Sequence, residues 1–400
     1  MLEYLLLILA GCLVGLITGL TPGIHVNTVC LIGLSLYATL GVDAVGFGVF
    51  MVSLAVTQHF IDFIPAIFLG VPDEGTALSI LPTHRLLLEG RSLEAVKLTG
   101  YGCLLGLVFG VAFLPAALYV IPVVYYWLRD FIVWVLAAAL SFLIWREGGW
   151  NRLWALLIFL VSGVLGVVTL NLSALSSTDI LFPVFSGLFG LSGILYSLRQ
   201  RWKPVPQQEY ARVDVDKGLL GSAASGAVGG MVVGVLPGMS PSQIGIIMSS
   251  IFGSSIRGFL VSVAAINTSD SMYSLMSLYT IQNARSGVAV MLERIMNLDY
   301  NTLVLFTGVF CIAAGIGFTM HMWVGKRAVR LFSMIDYRLV SAGVMAVVLT
   351  LVYLITGWVG LGVCILSTAV GLLPILSGVS RTHLMGVLIV PTMLFYLGMG

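Results

Sequence analysis

Residues 11–23 read GCLVGLITGLTPG, and residues 226–238 read GAVGGMVVGVLPG. Gly11, Gly15, Gly19, Pro22 and Gly23 recur as Gly226, Gly230, Gly234, Pro237 and Gly238, all at one offset of 215 residues. A glycine at every fourth position lays a smooth stripe along one helix face and lets a second helix approach closely. The Pro-Gly that ends each stripe breaks the helix. The chain therefore reads as two copies of one unit, each opening with a broken helical hairpin. A fainter echo, Thr57-Gln58-His59 against Thr268-Ser269-Asp270, follows at an offset of 211.

Composition places the repeat in a membrane. Of 400 residues, 59% are hydrophobic and only 9% charged, where a soluble domain carries about 25% charged residues. This excludes an ordinary soluble enzyme, a nucleic-acid binder and a disordered chain. The near balance of 19 basic and 17 acidic residues implies no polyelectrolyte partner. One spanning helix takes about 20 apolar residues. The apolar runs are 4–20, 24–40, 44–70, 98–122, 131–145, 153–171, 179–197, 218–236, 244–256, 258–281, 300–323, 339–356, 358–376 and 384–400. Run 244–256 is short for a full crossing. Run 4–20 has no basic segment before it and no small-residue cleavage site after it, so it reads as part of the mature fold. Cys12, Cys30, Cys103, Cys311 and Cys364 sit inside apolar runs without ligand spacing and read as packing residues.

Basic residues orient the chain, because they favour the cytoplasmic side. The polar linker 199–217 holds Arg199, Arg201, Lys203, Arg212 and Lys217. Counting crossings from it puts Arg85, Arg91 and Lys97, the Arg146/Arg152 turn, and Lys326, Arg327, Arg330 and Arg338 on the same side. Each half then has one hairpin and about five transmembrane helices, an odd number, so the second half is inverted relative to the first. The predicted fold is an all-α polytopic membrane protein of two inverted-topology repeats. The first occupies 1–198 and the second 218–400, with 199–217 as a cytoplasmic linker. Inverted repeats are common in secondary transporters, whose substrates bind near the midplane where broken helices meet.

A helix break exposes backbone N–H groups and the positive end of a helix dipole, which suits an anion. The first break offers Thr21, Pro22, Gly23, His25 and Asn27; the second offers Pro237, Gly238, Ser240, Ser242 and Gln243. These are the predicted substrate-binding residues, although Ser, Thr and Asn also serve as plain helix caps. Ionisable residues inside apolar runs are costly and usually functional. His59 and Asp62, one helical turn apart, and Thr268 and Asp270 are the candidates for a coupling ion, Na⁺ or H⁺. A structural hydrogen bond between helices is the plainer use of each. Asp43 and Asp179 stand at segment starts, where dipole compensation explains them. Asp73-Glu74, in a Gly/Pro-rich break at 70–77, is either a third candidate or an exposed loop tip. His321 and His383 have no ligand-like neighbours in sequence, and no Lys or Arg lies within the core runs. No cofactor or metal motif occurs, nor the nucleotide-binding, serine-hydrolase or zinc-protease patterns, so an enzyme is disfavoured.

The stretches GLITGLTPGIHVN and GMVVGVLPGMSPSQ resemble the duplicated Pro-Gly motifs of the large membrane subunit of tripartite tricarboxylate transporters. FLGVPDEGTALSILPTHRLLLEGRSLEAVKLTGYG is similar to that family's conserved loop. The resemblance runs from about residue 5 to 320. It implies a cation-coupled carboxylate carrier of the cell membrane, helped by a small membrane subunit and an extracytoplasmic binding protein. His25, Asn27 and Asp73-Glu74 depart from the family pattern, so the chain resembles a divergent relative of the kind seen among uncharacterised archaeal membrane proteins. The expected function is secondary transport of a small organic anion of the carboxylate class by alternating access. The rival is a polyprenyl-phosphate translocase using the same hairpin tips; a membrane scaffold or intramembrane enzyme is a third class.

Overall fold

The computed structural model describes residues 2–399 apart from 22–25, 27–28, 31–32, 35–36, 38–40, 70–79, 176–178, 200–205, 237–238, 240, 253–254, 285 and 333–336. The described residues are helices and connecting turns. In order these are α1 (Leu2–Leu20), α2 (Ala44–Ile61), α3 (Phe63–Leu69), α4 (Ile80–Leu88), α5 (Ser92–Leu128), α6 (Ile132–Arg146) and α7 (Asn151–Leu170). Then come α8 (Leu181–Phe185), a π-helical turn (Ser186–Leu191), α9 (Ser192–Arg199), α10 (Lys217–Val233), α11 (Pro241–Phe252) and α12 (Ile256–Ile281). The chain ends with α13 (Gly287–Ile295), α14 (Tyr300–Phe332), α15 (Tyr337–Ser377), the 3₁₀ turn Arg381–Met385 and α16 (Gly386–Tyr396). Six helical stretches are long and apolar enough to cross a membrane: Leu2–Leu20, Ala44–Phe68, Ser92–Arg146, Asn151–Leu170, Tyr300–Leu331 and Ser341–Ser377. Ser92–Arg146 and Ser341–Ser377 each contain two of the apolar runs read from the sequence.

Local chemistry sets several boundaries. Asp43 caps α2 by accepting from the Gly46 N–H at 3.2 Å, the role expected of it. Asp216 and Ser255 cap α10 and α12 in the same way. Pro65 lacks the N–H that would bond the Ile61 carbonyl, and the helix is interrupted at Asp62 between α2 and α3. Within α15, Gly357 adopts φ 62° and ψ −158° and separates two helices; a side chain there would be strained. In the Ser/Thr-rich middle of α12, Thr268 and Ser269 donate back to the Ala264 and Ala265 carbonyls, which satisfies their buried hydroxyls within the helix.

The glycine stripes pack as their spacing predicts. A Cβ on Gly11, Gly15 or Gly19 would press on Ser53, Thr57 and Ile61 of α2; on Gly226, Gly230 or Gly234 it would press on Ala265, Ser269 and Tyr273 of α12. In both copies the partners rise with the glycines, so α1 runs parallel to α2 and α10 parallel to α12. The partners are related by 212 residues, and α2 with α3 shifted by 212 covers the bounds of α12. Behind the breaks, Gly33 faces Met51 and Gly245 faces Val263, again at 212. This register corrects the offset of 211 read from the sequence: Thr57 answers to Ser269. Asp62 answers to Ser274, and Asp270 to Gln58, so the two carboxylates are not equivalent positions. The pattern at 211 paired residues by type, whereas packing pairs them by which helix they face.

Contacts also give direction. Gly102 and Gly106 of α5 meet Val261 and Ala265 in order, so α5 and α12 run parallel. Arg257 at the start of α12 pairs with Glu94 at the start of α5. Gly48 lies against Phe306 and Gly317 against Phe60, so α2 and α14 run parallel. His321 of α14 touches the carbonyls of Phe60 and Val96 at 2.6 and 2.8 Å. The end of α2 is thus beside the start of α5, and α2 runs opposite to α12. A cavity places Arg146 beside Phe259, so α6 turns back at Arg129–Phe131 toward the end where α5 starts. That end gathers Arg91, Lys97, Arg146, Arg152, Lys217, Arg257, Lys326 and Arg327. The linker is tied there by Lys97 donating to the Ala211 carbonyl at 2.6 Å and Gln207 to the Leu87 carbonyl at 2.9 Å. Outside it, Arg85 first and Arg91 second hold the Glu89 carboxyl below its ordinary range. The outward faces of α1, α5–α7 and α15 carry Leu13, Ile17, Tyr119, Trp127, Trp134, Val164, Leu354 and Ile365, exposed in the bare chain.

Candidate functional site

The two repeat-bearing helices α2 and α12 cross in opposite directions at His59. The Asn267 amide donates to His59 Nδ1 at 3.4 Å, which leaves Nε2 facing the Ser271 hydroxyl at 2.7 Å. His59 and Ser271 are equivalent positions in the 212-residue register. Thr18 of α1 donates to Gln58 Oε1 at 2.9 Å. Cys103 of α5 reaches the His59 carbonyl at 3.9 Å and also meets Thr268. Gln58, Asp62, Asn267, Thr268 and Ser271 are all buried. A buried polar cluster is therefore drawn from α1, α2, α5 and α12.

Helix geometry says where the two carboxylates point, at about 100° of rotation per residue. On α12, Ala265, Ser269 and Tyr273 face α10, and Asn267 and Ser271 face α2. Asp270 falls in the sector between those helices and is half-buried. On α2, Ser53, Thr57 and Ile61 face α1 while His59 faces α12. Gln58 and Asp62 fall in the sector between them. Each carboxylate thus borders the groove beside its own glycine-striped hairpin.

The second hairpin is re-entrant. Gly245 lies against Val263, and the cavity that holds Phe259 also holds Ser249. α11 therefore runs back along α12 to the end where α10 began. Extending that register puts the N-terminus of α11, with the buried Ser242 and Gln243, level with Ala265–Asn267, about one turn before Asp270 on α12. Three predicted substrate residues are thus described. Ser242 and Gln243 lie at this helix end, whereas the Thr21 hydroxyl donates back to the Ile17 carbonyl one turn earlier at 2.7 Å. Pro22, Gly23, His25, Asn27, Pro237, Gly238 and Ser240, and the Asp73-Glu74 break, lie outside the described residues. All four coupling candidates fall in or beside the cluster: His59, Asp62 and Thr268 within it, Asp270 on its rim.

Several polar residues here carry no signal of their own in the sequence. Thr18 is joined to the cluster by the packing of α1 on α2, and Ser271 by the crossing of α2 and α12. His321, which bridges α14 to α2 and α5, is an isolated histidine in an apolar run. No Lys or Arg stands within the core runs, but the turn between runs 358–376 and 384–400 carries a buried one, Arg381. Arg381 is buried, and its Nη2 donates to the carbonyls of Leu188 and Phe189 and to Ser192. A π-helical turn displaces carbonyls from regular α-pairing, and this arginine takes two of them.

Residues 5–386 match the Tripartite tricarboxylate transporter TctA family. The chain belongs to that family. The resemblance carried by the Pro-Gly motifs thus extends over nearly the whole chain. Among curated proteins, an uncharacterized protein of Methanocaldococcus jannaschii is 29% identical over 408 residues, covering 99% of this chain and all of the relative. That relative is archaeal, in keeping with the divergent archaeal type read from the departures. No solved structure matches. A TctA-family protein with this many apolar helices is a multi-pass membrane protein of a transporter family, and a tripartite system implies a substrate anion and further subunits.

Proposed function

We propose that the chain is the membrane-embedded carrier of a secondary transporter for a small organic anion of the di- or tricarboxylate class. One observation carries this reading: α2 and α12 cross antiparallel at a buried polar cluster, each packed against its own glycine-striped helix, α1 or α10. The two halves, 1–198 and 218–400, act as inverted repeats that rock about the His59–Ser271 contact, giving alternating access to one site. The anion is held at the hairpin tips, where helix N-termini supply N–H groups and a positive dipole. Asp62 and Asp270 supply negative charge for Na⁺ or H⁺. The cation offsets the anion's charge, so neither need be carried alone through the low-dielectric interior. The basic end is cytoplasmic, the membrane is the cell membrane, and a small membrane subunit and an extracytoplasmic binding protein are the expected partners.

The test is uptake by proteoliposomes holding only this chain, offered labelled di- and tricarboxylates under separate Na⁺ and pH gradients. Saturable uptake that follows one gradient and falls in Asp62→Asn or Asp270→Asn is the expected result. Absence of carboxylate uptake, together with transbilayer movement of a polyprenyl phosphate, would overturn it in favour of a lipid-phosphate translocase.

A further inference from the structure

A second polar site lies away from the central cluster. A cavity of about 320 Å³ is enclosed by the end of α6, by α11, by the first turn of α12 and by the turn before α16. Its polar lining is Arg146, Glu147, Ser249, Ser380, Thr382 and His383. His383 is 2% exposed, and its Nδ1 has no hydrogen-bond partner. Its Nε2 lies 3.1 Å from Glu147 Oε1, which also accepts from the Ser380 N–H at 3.0 Å. Behind the same turn, Arg381 is 6% exposed; it makes no ion pair among the described residues, and its Nε is unpartnered. Cavities that bind small molecules run from about 300 Å³ upward and combine apolar walls with a few convergent polar groups. Leu143, Ile246 and Phe259 are the apolar walls here.

We propose that this cavity is a binding site for a small organic acid with one or two carboxylates, taken up together with a proton on His383. The charges set this outcome. From α6 the groups facing His383 are Glu147 and Arg146. Arg152 at the start of α7 bonds the Glu147 carbonyl at 2.8 Å, and Arg381 stands on the turn itself. α11 and α12 bring Ile246, Ser249 and Phe259 to the cavity, none of them titratable. With the ring neutral, Glu147 offsets one of the two arginines, and Nδ1, lacking a proton, offers an anion no hydrogen bond. With the ring protonated, Glu147 and His383 form a neutral pair and Nδ1–H becomes a donor. Arg146 and Arg381 then leave the cavity net positive, with the Ser380 and Thr382 hydroxyls to complete the anion's hydrogen bonds. Binding therefore strengthens as pH falls through the titration of His383. The inference does not rest on the transport reading, since it concerns binding at another place.

The test is a single cysteine at Ser249 in an otherwise cysteine-free full chain, in nanodiscs of neutral lipid, with Thr382→Cys as a second reporter should the first fail to fold. Thiol reagents of equal size and opposite charge read the field. Burial pushes the His383 ring below its ordinary value, so the field is read at pH 5, where the anionic reagent is expected to react at least about tenfold faster than the cationic one, an energy difference of about 1.4 kcal/mol. Succinate slows that reaction, and both effects shrink at pH 8. His383→Gln removes the pH dependence, and Arg146→Gln reduces the charge preference. Equal rates, a preference for the cation, or no reaction of either reporter would overturn the proposal. So would protection by added anionic lipid but not by succinate, which would make the ligand a headgroup. Uptake of carboxylates is not read in this experiment, so its failure and that of the carrier reading are separable.

Discussion

Gly106 and Gly110 stand one turn apart on α5 and face the same helix, α12, yet their surroundings differ. A Cβ on Gly106 would lie 2.5, 2.6 and 2.9 Å from the Cα, O and C of Ala265, all main-chain atoms. A Cβ on Gly110 would first meet Met272 Cε at 3.4 Å and Ser269 Cβ at 3.5 Å. Carbon atoms pack best about 3.5–4.0 Å apart, so Gly106→Ala must push two buried helices apart by up to about 1 Å. Overpacking of this kind costs about 1–3 kcal/mol, offset by about 1 kcal/mol gained in helix propensity. Gly110→Ala gains the same propensity with no collision. The expected order of stability is Gly110→Ala, wild type, Gly106→Ala, with roughly 2 kcal/mol between the variants. The assay is retention of monodisperse protein in detergent after heating through a range of temperatures. Equal shifts for the two variants, or a more stable Gly106→Ala, would refute the close approach of α5 and α12 on which the central cluster depends.

Three further outcomes follow from particular contacts. Gly357→Ala forces a side chain into φ 62°, ψ −158° and should lower the melting midpoint by the equivalent of about 1–3 kcal/mol, while Gly362→Ala, with open space around it, should not. Thr302, through its side chain and its main-chain N–H, holds the Asp299 carboxyl below its ordinary value. That contribution is fully present above the unfolded-state value and fades as pH falls through the lower native one, so the melting difference between wild type and Asp299→Asn should be constant near neutrality, begin to shrink below about pH 4 and close on further acidification. His59→Leu removes both contacts to α12 and should cut uptake by about tenfold or more, with His59→Gln recovering part of it; uptake unchanged in His59→Leu would remove the residue from the mechanism.

How much of this was legible beforehand depends on what each pattern encodes. The stripe at Gly11, Gly15 and Gly19 and its copy at Gly226, Gly230 and Gly234 announced two equivalent helix pairs, because close approach needs glycine and leaves a period of four. Lys and Arg positions announced one basic end for a similarly direct reason. The register of α2 against α12 was not legible, since Thr57, Ser269 and Thr268 are chemically interchangeable and only packing tells which faces a glycine. His59 against Ser271 joins residues 212 positions apart on the antiparallel α2 and α12, so no local pattern marks it. Arg381 escaped for another reason: its acceptors are carbonyls freed by a π-helical turn at Ser186–Leu191, and main-chain acceptors leave no trace in residue types. The tips around Pro22 and Pro237 lie outside the described residues, so their part in binding rests on the sequence.

The central claim is that Asp270 borders a substrate site reached from both sides of the membrane. A cysteine at Asp270, in a cysteine-free chain reconstituted in one orientation, tests it with an impermeant thiol reagent applied to each side in turn. The account predicts labelling from both sides, slowed from both by the same di- or tricarboxylate. Labelling from one side alone, or at rates that no carboxylate alters, would contradict it.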